Sequence, residues 1–207
     1  MIVILDYGVG NLYNIKKVLQ FTKKKIIISN NIEKILKADL LILPGVGSFE
    51  FAIKNLKKKK LENAVIKYIK TGKPVLATCV GMQILMTKSY ENGIFKGLNL
   101  IKGKVKNIRN LSKKIKLPII GWHKIIPNTT SNIYQKLNLK NKYFYFVHSY
   151  YVEPDEKKYV IAYYSNGIIK YPAIVKKDNI IGLQFHFEIS GDSGKKLIKE
   201  LIKELGV

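Results

Sequence analysis

Pro74-Val-Leu-Ala-Thr-Cys79-Val-Gly81-Met-Gln-Ile-Leu-Met86 starts as a short apolar run, β-branched at Val75, and passes without a polar linker into a helix-period pattern. The junction holds Cys79, the only cysteine in 207 residues, with Gly81 two positions later. A strand that bends sharply into a helix lifts the side chain at the bend clear of the backbone. It also turns the first helical N–H groups and the positive end of the helix dipole toward that side chain, which favours a thiolate and nearby anions. The alternative is a buried thiol packing as a small hydrophobe. The flanking sequence decides between them.

Upstream, short apolar runs alternate with helical patterns. Ile2–Leu5, Lys25–Ser29, Leu40–Leu43 and Pro74–Thr78 read as strands. Asn11 reads as a helix cap before Leu12, Ile15, Val18 and Leu19; Asn30–Leu36 holds a short helix, and Phe49–Lys70 one or two more. Fully apolar strands between helices argue for a mostly parallel sheet covered on both faces. From Gly97 the pattern changes. Gly103–Ile108, Leu117–Trp122, Lys142–Tyr151, Lys158–Tyr164, Tyr171–Lys176 and Asn179–Phe185 read as strands, with turns at Asn166-Gly167 and Asp178-Asn179. Ser190 then caps a last helix with Leu197, Ile198, Leu201, Ile202 and Leu205 on one face. The expectation is one α/β domain over 1–207, with a parallel βα front and an antiparallel back.

One cysteine rules out an intramolecular disulfide framework and suits a reducing cytosol. No apolar run reaches the length of a membrane span, and Met1-Ile-Val-Ile-Leu5-Asp6 meets an acidic residue too early for a signal peptide. The net charge of +23 raises a nucleic-acid reading, but it comes from 36 lysines against the single Arg109. Base and phosphate readers exploit the bidentate guanidinium, so this ratio speaks against one. Heavy use of Lys, Ile and Asn, which share A/T-rich codons, points to a composition bias. The run Lys57-Lys-Lys-Lys60 reads as a solvated helix face or turn.

A thiolate nucleophile needs a base, usually histidine. Of His123, His148 and His186, the last lies in Gln184-Phe-His-Phe-Glu188, directly after an apolar strand. In extended chain, positions i and i+2 point the same way, which brings Glu188 beside the His186 imidazole to fix its tautomer. His148, inside an aromatic strand, reads as a packed supporting residue. Pro44-Gly-Val-Gly47-Ser-Phe49 follows the third strand, and its glycines let backbone N–H groups face a ligand at the carboxyl edge of the sheet. Donors near Val46 and at Val80 would then form an oxyanion site. One cysteine and three scattered histidines give no metal-ligand spacing, so neither a metal nor a cofactor is expected.

Asp6-Tyr-Gly-Val-Gly-Asn11, Pro44-Gly-Val-Gly-Ser-Phe49, Cys79-Val-Gly-Met-Gln83, Gly121-Trp122, Tyr145-Phe-Val-His-Ser-Tyr150 and Gln184-Phe-His span the chain in one order. Together they resemble the class I glutamine amidotransferases, with their flavodoxin-like fold and Cys-His-Glu triad. Within that family they resemble the glutaminase subunits of imidazole glycerol phosphate synthase. The resemblance implies hydrolysis of L-glutamine by Cys79, His186 and Glu188. Gly45, Gly47, Gln83, Ser149 and Tyr150 are the implied glutamine contacts. It also implies a heterodimer with a (β/α)8-barrel cyclase facing Asn11, Trp122 and Tyr145. Ammonia would pass to that cyclase, which makes imidazole glycerol phosphate and aminoimidazole carboxamide ribotide in histidine biosynthesis.

The sequence departs from the family pattern at Ala77 (usually Gly), His123 (commonly Asn), Phe187 (usually Pro) and Ile189 (usually Lys). Losing proline at 187 frees φ and is expected to loosen the His186–Glu188 setting. These departures keep open a paralogue that aminates a nucleotide-linked sugar through a cyclase-like partner, and a low-activity scaffold subunit.

Overall fold

The computed structural model describes residues 1–128, 137, 139, 141–167 and 169–207. Strands β1 (Ile2–Leu5), β2 (Ile26–Ser29), β3 (Leu40–Leu43) and β4 (Val75–Thr78) pair in parallel in the order β2-β1-β3-β4. Their crossovers are α1 (Leu12–Leu19), α2 (Ile32–Lys37), α3 (Phe49–Lys58) and α4 (Glu62–Lys70). Alternation along each strand feeds two cores. Val3, Leu5, Leu41, Leu43, Val75 and Ala77 pack with Ile35, Phe49, Leu56 and Tyr68 of α2–α4. Ile2, Ile4, Leu40, Ile42 and Leu76 pack on the other side with Ile15 and Leu19 of α1 and with Leu197, Ile198 and Leu201 of the last helix, α6 (Gly191–Glu204). Strands buried on both faces thus have no polar side to show, as their composition implies.

The 49–70 stretch is two helices. They part where Lys60 takes φ 56° and Leu61 N–H reaches back to the Leu56 carbonyl, closing α3 with a left-handed cap. Lys57 to Lys60 are exposed there, a solvated turn.

The elbow departs from expectation. The helix after Cys79 is a single turn, α5 (Val80–Gln83), followed by strand β5 (Met86–Ser89). The carbonyls that would extend the helix are taken from outside: Leu98 N–H bonds to Ile84, and Leu100 and Ile101 N–H to Leu85. Gly97 sits so close that a Cβ there would lie 2.2 Å from the Met86 oxygen. Strand β5 belongs to a separate four-stranded sheet with β6 (Phe95–Lys96), β7 (Ile101–Asn107) and β10 (Tyr150–Pro154), in the order β10-β7-β5-β6.

The back half also extends the first sheet. Strand β13 (Ile180–Leu183) inserts parallel to β4, with Leu183 opposite Thr78. Antiparallel strands β12 (Ile169–Lys177), β11 (Val160–Asn166), β8 (Ile119–Pro127) and β9 (Tyr143–His148) continue outward from it. The expected strand Lys142–Tyr151 is therefore two strands, broken at Ser149 and shared between the two sheets. Strand β11 starts at Val160, because Lys157–Tyr159 form a 3-10 turn.

Candidate active site

Strands β4 and β13 end side by side, so the residues just past their carboxyl ends, Cys79 and Gln184-Phe185-His186, are brought together. The Cys79 N–H donates to the Leu183 carbonyl at 2.7 Å, and Cys79 holds φ 50°, ψ −116°. A non-glycine residue in that region is strained and persists only where its surroundings impose it. One turn of helix carries little macrodipole. What α5 offers next to Cys79 is local: first-turn N–H groups such as that of Val80, which have no intrahelical acceptor.

The loop after β3 is pressed against this elbow. A Cβ on Gly45 would meet Gly81 N at 2.1 Å, and one on Gly81 would meet the Leu43 oxygen at 2.2 Å. Glycine is required at both places by backbone approach. Gly47 differs: it has φ +89° and open space around it. Tyr7, fully buried, donates its phenolic O–H to the Pro44 carbonyl and so anchors the loop from below. Burial, with the Cys79 charge adding to it, holds that phenol far above its ordinary pKa, so it stays a donor.

His186 and Glu188 are 2 % and 8 % exposed. His186 Nδ1 lies 2.8 Å from Glu188 Oε1, and the imidazole lines the cleft together with Cys79. Burial works to lower the His186 pKa. The hydrogen bonds to Cys79 and Glu188, with the negative charge on both, outweigh it and leave the imidazole raised above its usual value. The pair does not meet in extended chain: Phe187–Ile189 form a 3-10 turn. Nor does Phe187 loosen it. Its ring is fully buried in the core beneath α1 and α6, and its carbonyl accepts from Ser190 N–H at 3.2 Å. Core packing replaces the ring constraint of proline.

Ser190 and Asn11 hold cap positions without side-chain cap bonds. The Ser190 hydroxyl donates to the His186 carbonyl at 2.6 Å and accepts the Tyr145 N–H at 3.0 Å. Asn11 Nδ2 donates to Glu188 Oε1 at 3.3 Å. Both side chains brace the His186–Glu188 segment, not their helices.

A cleft of about 350 Å³ opens over Cys79 and His186. Val46, Gly47, Val80, Gln83, Ser149 and Tyr150, all singled out in the sequence, line it. Gly45 is placed otherwise, buried against the elbow backbone and not among the lining residues. His148 also lines the cleft, but both its ring nitrogens are engaged, Nδ1 with the Tyr150 carbonyl at 2.8 Å and Nε2 with the Tyr164 hydroxyl at 2.7 Å. Burial lowers its pKa to about 4, which suits a neutral support and not a base. Sequence reasoning missed Glu91, the only carboxylate among the described residues that line this cleft, whose Oε2 accepts the Phe49 N–H at 2.6 Å. Burial raises its pKa. In sequence Glu91 sits in a polar Tyr90-Glu-Asn-Gly93 turn and carries no signal.

Trp122 is 52 % exposed and packs edge-on against Tyr145, with ring centroids 6.0 Å apart. Tyr145 is half-buried, and its backbone carbonyl accepts the His186 N–H at 3.0 Å.

Residues 3–205 match the family Glutamine amidotransferase class-I. Imidazole glycerol phosphate synthase subunit HisH of Carboxydothermus hydrogenoformans is 43% identical over 202 residues, covering 97% of this chain and 98% of its own. The subunit of the same name from Lactococcus lactis is 42% identical over 205 residues, covering 99% and 98%. A solved glutamine amidotransferase superposes with a TM-score of 0.75 at 17% identity, over 100% of this chain and 99% of its own, which shows the fold. The chain belongs to the class-I glutamine amidotransferases and, within them, to the HisH subunits of imidazole glycerol phosphate synthase.

Proposed function

We propose that this glutaminase subunit hydrolyses L-glutamine with Cys79 as nucleophile, His186 as acid–base and Glu188 as the group that orients it, over the whole 1–207 unit. The observation that carries the reading is that Cys79 and His186 line one cleft, with Glu188 Oε1 2.8 Å from His186 Nδ1 behind them. The thiolate attacks the carboxamide carbon. The oxyanion forms between the Val46 loop and Val80 N–H, and the imidazolium gives its proton to the departing ammonia. Water then attacks the thioester, His186 takes its proton, and glutamate leaves. Gln83, Ser149 and Tyr150 meet the α-carboxylate side of the substrate, and Glu91 offers the negative charge its α-ammonium requires. Gly45 and Gly47 shape the loop, Gly45 by close approach and Gly47 by its positive φ.

The partner is a (β/α)8-barrel cyclase, engaged as a heterodimer through Asn11, Trp122 and Tyr145, and the ammonia passes to it. The relatives' shared name supports this partner over one that aminates a nucleotide-linked sugar. The intact triad speaks against a scaffold role. A cytoplasmic setting follows from the same reading; among the described residues no helix is long and apolar enough to cross a membrane.

The test is glutamate release from glutamine, alone and with the cyclase and its substrate. Low release alone, strong stimulation in the complex and loss on Cys79→Ala are expected. Turnover unchanged by Cys79→Ala would overturn the mechanism.

A further inference from the structure

Gln184 is fully buried at the end of β13, next to the nucleophile, and has no part in the triad. Its Oε1 lies 3.4 Å from Gln83 Nε2, and its Nε2 lies 3.8 Å from Cys79 Sγ, a contact lengthened by the size of sulfur. Carboxamide O and N are told apart by their partners, and here the partners form a chain with one direction. The Tyr150 carbonyl accepts from His148 Nδ1 at 2.8 Å and from Gln83 Nε2 at 3.1 Å, which uses both its lone pairs. A carbonyl cannot donate, so Gln83 must present its NH2 group to it. The same NH2 group reaches Gln184, which must answer with oxygen. The NH2 of Gln184 is then the end that faces the sulfur. At the other end, Nδ1 of His148 must carry the hydrogen, leaving Nε2 to accept from the Tyr164 hydroxyl at 2.7 Å.

We infer that Gln184 is a further catalytic residue: its amide N–H donates to the Cys79 sulfur, and Gln83 and the Tyr150 carbonyl lock it in that sense. The donor stabilises the thiolate before attack, and again when sulfur leaves the second tetrahedral intermediate. Gln83 accordingly has two tasks, one toward the cleft and one toward Gln184. The chain also ties the Ser149–Tyr150 peptide, which lines the cleft, to the nucleophile without passing through His186. The inference rests on the glutaminase reading above.

The test uses the complex with the cyclase, co-expressed, with wild type as baseline. Gln184→Met keeps length and burial but has no donor. It is expected to lower kcat roughly 10-fold or more, as loss of one hydrogen bond to a charged group does. KM should stay within about 3-fold of wild type, because Gln184 does not reach the substrate, and the acidic limb of the kcat/KM profile should move to higher pH. Gln184→Glu keeps the size if methionine disturbs folding. It places a carboxylate against the sulfur and is expected to cost more in kcat than methionine. A rise in KM at unchanged kcat, or a Gln184→Glu complex with wild-type kcat, would overturn the inference while leaving the triad intact. A wild-type complex that releases no glutamate would overturn the glutaminase reading and this inference with it.

Discussion

His148 shows how one buried side chain sets a pH limit on the fold. It is held neutral down to pH about 4 by burial, against 6.5 in the unfolded chain. Below 6.5 the unfolded chain takes up a proton that the folded one refuses. Stability therefore falls from about pH 6.5 and stops falling, for this group, below about 4, a total of roughly 3 kcal/mol. Replacing it by glutamine, which keeps a donor toward the Tyr150 carbonyl, should reduce stability at pH 7 and flatten the decline. Urea unfolding at pH 7 and 4.5 checks this: the variant should lose about 2 kcal/mol less than wild type between the two. Parallel losses would mean that His148 is not the group responsible. At this scale the meeting of Cys79, His186 and Glu188 was legible, because each stands out by its type and its place after an apolar run. Gln184 and Glu91 were not. A glutamine matters here only through the direction its amide faces, and a carboxylate only through the cleft it lines, and both depend on neighbours more than forty positions away.

The elbow and the loop pressed against it are the elements on which the site depends. The strand pattern before Cys79 was plain, but the length of the helix after it was not. Ile84, Leu85 and Met86 are buried all round, so they fit helix and strand alike. The carbonyl captures by Leu98, Leu100 and Ile101 that end the helix come from a loop whose position no local pattern encodes. The two loop glycines give the element its test, because they are glycine for different reasons. Gly45→Ala drives a Cβ into elbow backbone that cannot yield, 2.1 Å from Gly81 N. It should cost about 3 kcal/mol or more, toward the upper end for overpacking, and abolish glutamate release. Gly47→Ala meets nothing and carries only the strain of a positive φ, about 1–2 kcal/mol. Thermal unfolding should rank wild type above Gly47→Ala above Gly45→Ala. The reverse order would mean that the close approach at Gly45 is not what fixes the loop.

For the whole molecule, the alternating front and the antiparallel back predicted two halves, and the fold interleaves them. Strand β13, the last strand in chain order among the described residues, lies beside β4 in the parallel core, which is how His186 reaches Cys79. Alternation of elements cannot reveal such an insertion, since it fixes strand type and not neighbour. The outer edge of the sheet carries the face proposed above for the cyclase. On β8 and β9, Ile120, Trp122, Tyr143 and Val147 alternate with buried Ile119, Phe144, Phe146 and His148, and all four stand 37–58 % exposed. Ile189, 38 % exposed, adds another apolar residue next to Glu188. A sheet face this apolar is an unusual surface for a chain of net charge +23, and it fits the proposed cyclase better than an anionic polymer. Trp122 is the natural anchor, since it is large, exposed and braced by Tyr145. Trp122→Ala should leave the subunit's own unfolding unchanged within about 0.5 kcal/mol, as for an exposed position. It should weaken association with the cyclase by about 2 kcal/mol or more, some 30-fold in Kd by calorimetry. Cyclase-stimulated glutamate release should fall at limiting partner and recover at saturating partner, because Tyr145, whose carbonyl holds the His186 N–H, is untouched. Unchanged Kd would move the partner face off this sheet edge, and failure to recover at saturation would make Trp122 part of the activation itself.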